Sequence, residues 1–198
     1  VGSGRPAMAA ARRPSRREAA RQIRAIRGQG LGFTYLLNAT CLDNRESTRR
    51  GQRDLHDVLD WCVAAGADAV TVSTPFMASF VHRHHPQLRI QVSMFATANS
   101  VERIRHWVDF GATVVTVDPS FNRDLPLIAE LARKSHCDLQ VIANNACLLG
   151  CPHILSHANE ISHASQAWHP SGGLYLGYSI VRCRLARLED PGQILKSD

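Results

Sequence analysis

Short apolar runs alternate with segments of helical periodicity along most of this chain. The apolar runs are typical of buried parallel strands and lie at residues 33–40, 69–73, 88–93, 113–118 and 138–143. The segments with helical spacing lie at about 14–27, 49–65, from 75 onwards, 100–110 and 123–134. Because strands and helices alternate at this spacing, the sequence predicts a series of parallel βα units.

The predicted strands end in polar residues, which favours a barrel over an open sheet. Asn38, Ser73, Asp118 and Asn145 lie at or just after four of these strand ends. A parallel barrel brings all such ends to one catalytic face, whereas an open doubly wound sheet brings together only those at its switch point. The chain also lacks the glycine-rich motifs of dinucleotide and P-loop sites. We therefore predict an α/β fold, built as a TIM-barrel-like (β/α) repeat.

The length of the chain sets the expected domain organisation. Its 198 residues fall short of the roughly 250 that a closed eight-stranded barrel uses. We therefore expect a single, incomplete or truncated α/β barrel domain over 1–198, with a basic helical segment at 1–30 leading into it. The chain is expected to be a fragment of a longer protein, or to be closed by a neighbouring chain.

Composition narrows the functional classes. Hydrophobic residues make up 44% and charged residues 20% of the chain, as in ordinary globular domains. No run of about 18 apolar residues is present, and the first residues lack the pattern of a signal peptide, so we expect a cytoplasmic protein without a membrane partner. The net charge is +6 and arginine supplies nearly all of the positive charge. Contact with nucleic acid, or a coding bias with solvated helix faces, would explain the arginines.

Six cysteines in a chain of this type indicate metal or redox chemistry before they indicate disulfides. Cys147 and Cys151 are four positions apart after the last predicted strand, Cys41 follows the first strand, and Cys183 offers a fourth sulfur. Four thiolates suit a 4Fe–4S cluster or a structural zinc ion. The alternative is that these cysteines are small buried residues, as we expect of Cys62.

Catalytic roles are predicted for Asp118, Arg123 and His157. His157 lies four residues after His153 on one helix face and could bind a metal, a substrate or a proton in transit, with a hydrogen-bonded structural role as the alternative. Arg123 can hold a carboxylate or phosphate through two hydrogen bonds, although its segment would equally serve as a helix N-cap with a surface ion pair. Substrate-binding roles are predicted at three other polar strand ends: Asn38, Ser73 and Asn145.

Several of these segments together resemble the peptidase U32 family. They lie at residues 35–41, 71–75, 122–124 and 145–152, followed by His157, 162–163, 190–191 and 194–197. The resemblance implies an α/β barrel with a 4Fe–4S cluster, zinc being the alternative metal. The ligands that it implies are Cys41, Cys147, Cys151 and Cys183.

The resemblance also implies an activity. Better understood relatives carry out oxygen-independent hydroxylation of ubiquinone precursors or of bases in RNA, so the expected substrate is a small molecule or RNA. The expected partners are an electron donor and a family member in a homo- or hetero-oligomer. The first alternative is a peptidase or other hydrolase, as the family name says. The second is a non-catalytic partner subunit that carries the cluster.

Overall fold

Strands and helices alternate as the sequence predicts in the computed structural model, which describes residues 14–143, 145, 147–166 and 178–194. The strands of this part are β1 Thr34–Leu37, β2 Ala69–Val72, β3 Arg89–Val92, β4 Ala112–Thr116 and β5 Asp138–Gln140. The helices are α1 Arg16–Gly28, α2 Arg49–Ala65, α3 Pro75–His84, α4 Val101–Asp109, α5 Leu125–Lys134, α6 Ile154–Ala164 and α7 Tyr178–Glu189. The sequence pattern does not anticipate α7.

The strands pair in chain order and all run parallel. The order in the sheet is β1-β2-β3-β4-β5, so each strand is hydrogen-bonded to the next one along the chain. A doubly wound sheet reverses its strand order at a switch point, and no such reversal occurs in the described sheet. The architecture is therefore a partial TIM-barrel-like fold, which confirms the predicted fold class.

Polar side chains meet on one face of the sheet. Gln91 of β3 donates a hydrogen bond to Oε1 of Gln140 of β5, across the intervening strand β4. Thr116 of β4 donates to the same oxygen at 2.9 Å. In a parallel (β/α) barrel the helices cover the outer face of the sheet. The face that carries these polar side chains is the one that corresponds to the interior of a barrel.

The opposite face of the sheet packs against the helices and forms the core. Its central side chains are wholly buried aliphatic residues, among them Val70, Val72, Val92 and Val115.

Local side-chain and backbone contacts fix both ends of α2. The α2 helix begins after Thr48, whose side chain accepts a hydrogen bond from the Gly51 N–H at 3.0 Å. It ends at Gly66, which has a φ of +92° that glycine adopts without strain.

The basic helical segment predicted near the start of the chain contains α1. Ser15 and Glu18 form a capping box that fixes the first turn of this helix. Its apolar stripe buries Ile23 against Ala65 of α2. Residues 1–13 of the segment lie outside the described part. Across the described residues, no helix combines the length and the apolarity needed to cross a bilayer.

Candidate functional site

A cavity of about 490 Å³ lies at the carboxyl ends of β4 and β5. Its wall is formed by the chain that follows β4, the chain that follows β5, and the turn that leads into α6. Residues predicted for three different roles line it together: Asp118, Arg123, Asn145, Cys147 and Cys151. This is the end of a barrel strand where catalytic groups are normally found. Half of the ten predicted site residues therefore share one cavity.

Asp118 is held in place by its own backbone and carboxylate. Its N–H donates to the Ala98 carbonyl at 2.9 Å, and its Oδ1 accepts from the Ser120 N–H at 3.0 Å. The second bond caps a short 3₁₀ turn at Pro119–Phe121. These two hydrogen bonds fix the position of the Asp118 carboxyl group in the cavity wall.

Arg123 lies between two residues with structural duties. Asp124 caps α5 by accepting from the Leu127 N–H at 3.0 Å, and Asn122 donates from Nδ2 to the Ile142 carbonyl at 2.8 Å. The helix N-cap, which was the alternative role of this segment, is therefore formed by Asp124. Arg123 itself lines the cavity. Its guanidinium gives the wall a permanent positive charge suited to a carboxylate or phosphate.

The cavity wall also includes Thr97 and Asn122, polar residues that are not among the predicted site residues. Thr97 has a φ of +48°, which is rare for a β-branched residue. Arg103 donates from Nη1 to the Thr97 carbonyl at 2.8 Å and to its hydroxyl at 2.7 Å, which holds this conformation. No periodicity in the sequence signals Thr97, whereas Asn122 lies beside Arg123 and could have been included.

Three of the predicted metal ligands interact electrostatically. Burial raises the pKa of the Cys147 thiol, and the nearby Cys151 and Cys183 raise it further. A hydrogen bond with Asn145 and the charge of Arg187 act in the opposite direction. Cys183 lies on α7, so its proximity to Cys147 is a tertiary contact and does not follow from the spacing of Cys147 and Cys151 in the sequence. The donor set is all sulfur, which suits soft metals and iron–sulfur clusters.

Cys41 lies apart from this group. Its carbonyl accepts from Gln166 Nε2 at 2.7 Å, and the preceding Thr40 N–H donates to Ser162 Oγ at 2.9 Å. These contacts lie at the C-terminal end of α6, whereas Cys151 precedes its first residue. An 11-residue helix is about 16 Å long. In the described part of the chain, no three His, Cys, Asp or Glu side chains form a group that could hold a metal ion.

The remaining predicted residues lie outside the cavity wall. Ser73 donates from its hydroxyl to the Asn38 carbonyl at 2.8 Å, so these two predicted substrate-binding residues join the ends of β1 and β2 to each other. His157 lies on α6, where burial lowers its pKa; Glu160 opposes this shift, and Arg187 adds to it. The His157 imidazole is therefore mainly neutral at neutral pH.

Comparisons with known proteins agree with this architecture. Residues 15–149 match the model of peptidase family U32. An uncharacterized protease of Methanocaldococcus jannaschii, MJ1657, is 26% identical over 189 residues, which are 96% of this chain and 55% of that protein. The solved structure of the U32 peptidase Mk0906 superposes with a TM-score of 0.71 at 21% identity, covering 86% of this chain and 72% of that one. The chain thus spans about half the length of its curated relative.

Proposed function

Since the chain belongs to the peptidase U32 family, we propose that it is an enzyme of the iron–sulfur type that hydroxylates a small molecule or an RNA base without using oxygen. The observation that carries this proposal is the position of the Cys147 thiol. It lines the cavity and lies within electrostatic reach of both Cys151 and Cys183. Three thiols that repel one another as thiolates are stabilised when they share a cationic centre.

Binding of a 4Fe–4S cluster would draw the sulfur atoms of these three cysteines together, since they do not form a metal-binding group in the part of the chain that the structure describes. Cys41 is the predicted fourth ligand, and its loop would have to approach the other three, because it packs beside the C-terminal end of α6. A bound cluster would supply one-electron transfer at the cavity wall. Zinc is the alternative metal for the same thiolates. With water as the source of the oxygen atom, conversion of R–H to R–OH releases two electrons and two protons, so an electron acceptor would be needed; an oxygen-donating organic co-substrate would itself be the oxidant. The predicted electron donor would set the oxidation state of the cluster before turnover. The enzyme could work as a homo- or hetero-oligomer with a family member.

The other cavity residues would bind and orient the substrate. Arg123 would bind an anionic group of the substrate through paired hydrogen bonds. Asp118 would accept hydrogen bonds from the substrate, and Asn145 would accept or donate them. The neutral imidazole of His157 would accept a proton, the role predicted for it, although His157 does not line the cavity. Asn38 and Ser73 could contact the distal part of a longer substrate.

The first test is the iron and acid-labile sulfide content of protein purified without air. We expect about four of each per chain, and a loss of most of both in Cys147→Ser and Cys151→Ser. Cys137→Ser is the matched control, because Cys137 is half-buried and does not line the cavity. Full iron in the Cys147→Ser, Cys151→Ser double variant would refute the ligand assignment, and zinc in place of iron would remove the redox mechanism.

A peptidase is the second candidate, supported by the names of the two relatives. A cysteine peptidase needs a thiol with a lowered pKa, whereas burial raises the pKa of the Cys147 thiol. Hydrolysis would therefore use a different nucleophile or an activated water. Cleavage of casein or gelatin by metal-free protein, retained in Cys147→Ser, would favour this candidate. A chain that forms a stable complex but shows neither activity alone would be a non-catalytic partner subunit.

A further inference from the structure

Three arginines form a stripe along the solvent side of α1. Arg17, Arg21 and Arg24 recur at the i, i+4 and i+7 positions of the helix, and all three are exposed. The buried residues of α1, Ala20 and Ile23, lie to one side of this stripe. The stripe is therefore a surface of α1 that the core does not use.

A second group of arginines lies in the first two turns of α2. Arg49, Arg50 and Arg53 are exposed, and the first turn of this helix contains no acidic residue. Helix N-termini carry a partial positive charge and normally favour acidic side chains. Thr48 caps the first turn of α2, so the positive charge at this end of the helix comes mainly from the three exposed arginines.

An ion pair connects the two groups. Arg16 of α1 and Asp57 of α2 are 2.8 Å apart; Arg17 is the next residue on α1, and Arg53 lies one turn before Asp57 on α2. We call the six exposed arginines the basic surface: Arg17, Arg21, Arg24, Arg49, Arg50 and Arg53.

Three aspartates near these arginines are already paired with other arginines. Asp57 pairs with Arg16, Asp54 pairs with Arg45 at 2.8 Å, and Asp68 pairs with Arg27 at 2.9 Å. Within the residues that the structure describes, none of the six arginines of the basic surface makes an ion pair. The six guanidinium groups therefore have no ion-pair partner in this part of the chain, and Glu18 and Glu46 are the other carboxylates close to them in sequence.

We propose that the basic surface binds nucleic acid through its phosphates. Successive i, i+4 arginines on a helix lie about 6 Å apart along the axis, which is close to the separation of successive phosphates on one strand. Trp61, on α2, packs edge-to-face on Tyr35 with ring centroids 5.3 Å apart, and α1 has no aromatic residue. Because no aromatic side chain on these two helices is available for the bases to stack on, the arginines would contact the phosphate backbone of the nucleic acid. Binding should therefore be independent of the nucleic-acid sequence and strongly dependent on salt concentration.

The experiment measures binding of a fluorescein-labelled 20-base-pair DNA duplex by anisotropy between 50 and 200 mM salt. Two duplexes of unrelated sequence should bind equally, with a Kd in the 10⁻⁴ to 10⁻⁶ M range typical of non-specific contacts. If all six arginines contact phosphates, the slope of log K against log salt is about −5, because each contact contributes about −0.9. Each triple variant, Arg17→Ala/Arg21→Ala/Arg24→Ala or Arg49→Ala/Arg50→Ala/Arg53→Ala, should reduce that slope by about half.

The matched control removes three exposed arginines from other helices, Arg83→Ala/Arg105→Ala/Arg133→Ala, and changes the net charge equally. Retention of the wild-type slope in this control would support a defined surface. An equal loss in the control would overturn the proposal, because net charge alone would then explain binding. Absence of duplex binding at 50 mM salt would also overturn it, as would binding only to vesicles of phosphatidylcholine with 30% phosphatidylserine.

Discussion

Replacing Gln166 should weaken the contact that joins α6 to the end of β1. Gln166 is wholly buried, and its Nε2 donates to the Cys41 carbonyl at 2.7 Å and to the Ser162 carbonyl at 3.0 Å. Cys41 and Gln166 are 125 residues apart in sequence. The side chain therefore fixes a helix that follows the last described strand to the loop that follows the first one.

The expected loss in Gln166→Ala follows from what each partner keeps. The Ser162 carbonyl still accepts from Ser165 Oγ at 2.7 Å, so only the Cys41 carbonyl loses its donor. A part-buried carbonyl without a donor costs roughly 1–3 kcal/mol. Removal of Gln166 Oε1, which has no hydrogen-bond partner among the described residues, offsets a part of this. We expect a net loss of about 1–2 kcal/mol, or a decrease in Tm of about 2–8 °C.

Urea unfolding followed by circular dichroism measures this difference. The control is Gln52→Ala on α2, because Gln52 is exposed and its replacement should change the free energy of unfolding by less than about 0.5 kcal/mol. If Gln166→Ala is as stable as this control, the contact between α6 and the Cys41 loop contributes nothing to the folded state.

Two further predictions concern backbone conformation and pH. Gly111→Ala should lower the free energy of unfolding by about 1–2 kcal/mol, because Gly111 has a φ of +89° and an added Cβ would lie 2.3 Å from His82 Nδ1. The control is Gly28→Ala, where an added Cβ meets nothing within 4 Å, so this variant should be neutral or slightly stabilising. Thermal melts of both variants measure the difference. Burial lowers the pKa of His85, with His56 and His84 adding to the shift and Asp60 opposing it. The unfolded chain therefore binds the proton first as pH falls below about 6.5, and His85 should reduce stability there by up to about 1.4 kcal/mol per pH unit. Urea unfolding at pH 7, 6 and 5 should show a smaller loss for His85→Gln than for the unmodified protein, and equal losses would contradict this.

The elements that the sequence predicts best are those with chemical stop signals. The helix predicted over 49–65 has these bounds in the structure, because Thr48 caps one end and Gly66 ends the other. The α7 helix has no comparable signal: its apolar and basic residues alternate without a clear stripe, and three of its large aliphatic residues, Val181, Leu185 and Leu188, are exposed. Hydrophobic periodicity identifies helices that bury an apolar face against the core. The exposed aliphatic residues of α7 do not form such a face.

The candidate site was predictable wherever it depends on strand ends that are close together. Asp118 and Cys147 follow β4 and β5, which are neighbours, and both line the cavity. Asn38 follows β1, at the other edge of the described sheet, and four spacings of about 4.8 Å separate β1 from β5. The prediction that strand ends share one face says nothing about the distance across that face. Thr97 belongs to the cavity wall because of its unusual backbone conformation, which Arg103 holds by hydrogen bonds. No spacing rule in the sequence identifies such a residue.

The chain order of the strands has a consequence for biosynthesis. Because every strand of the described sheet pairs with the one before it, each can add to a partner that has already left the ribosome. A sheet with crossed order must instead wait for strands that are translated later. Sheet growth can therefore keep pace with translation from β1 to β5. The contact between Gln166 and the Cys41 loop is the exception: its two halves emerge 125 residues apart, so closure of this end of the barrel follows synthesis of α6.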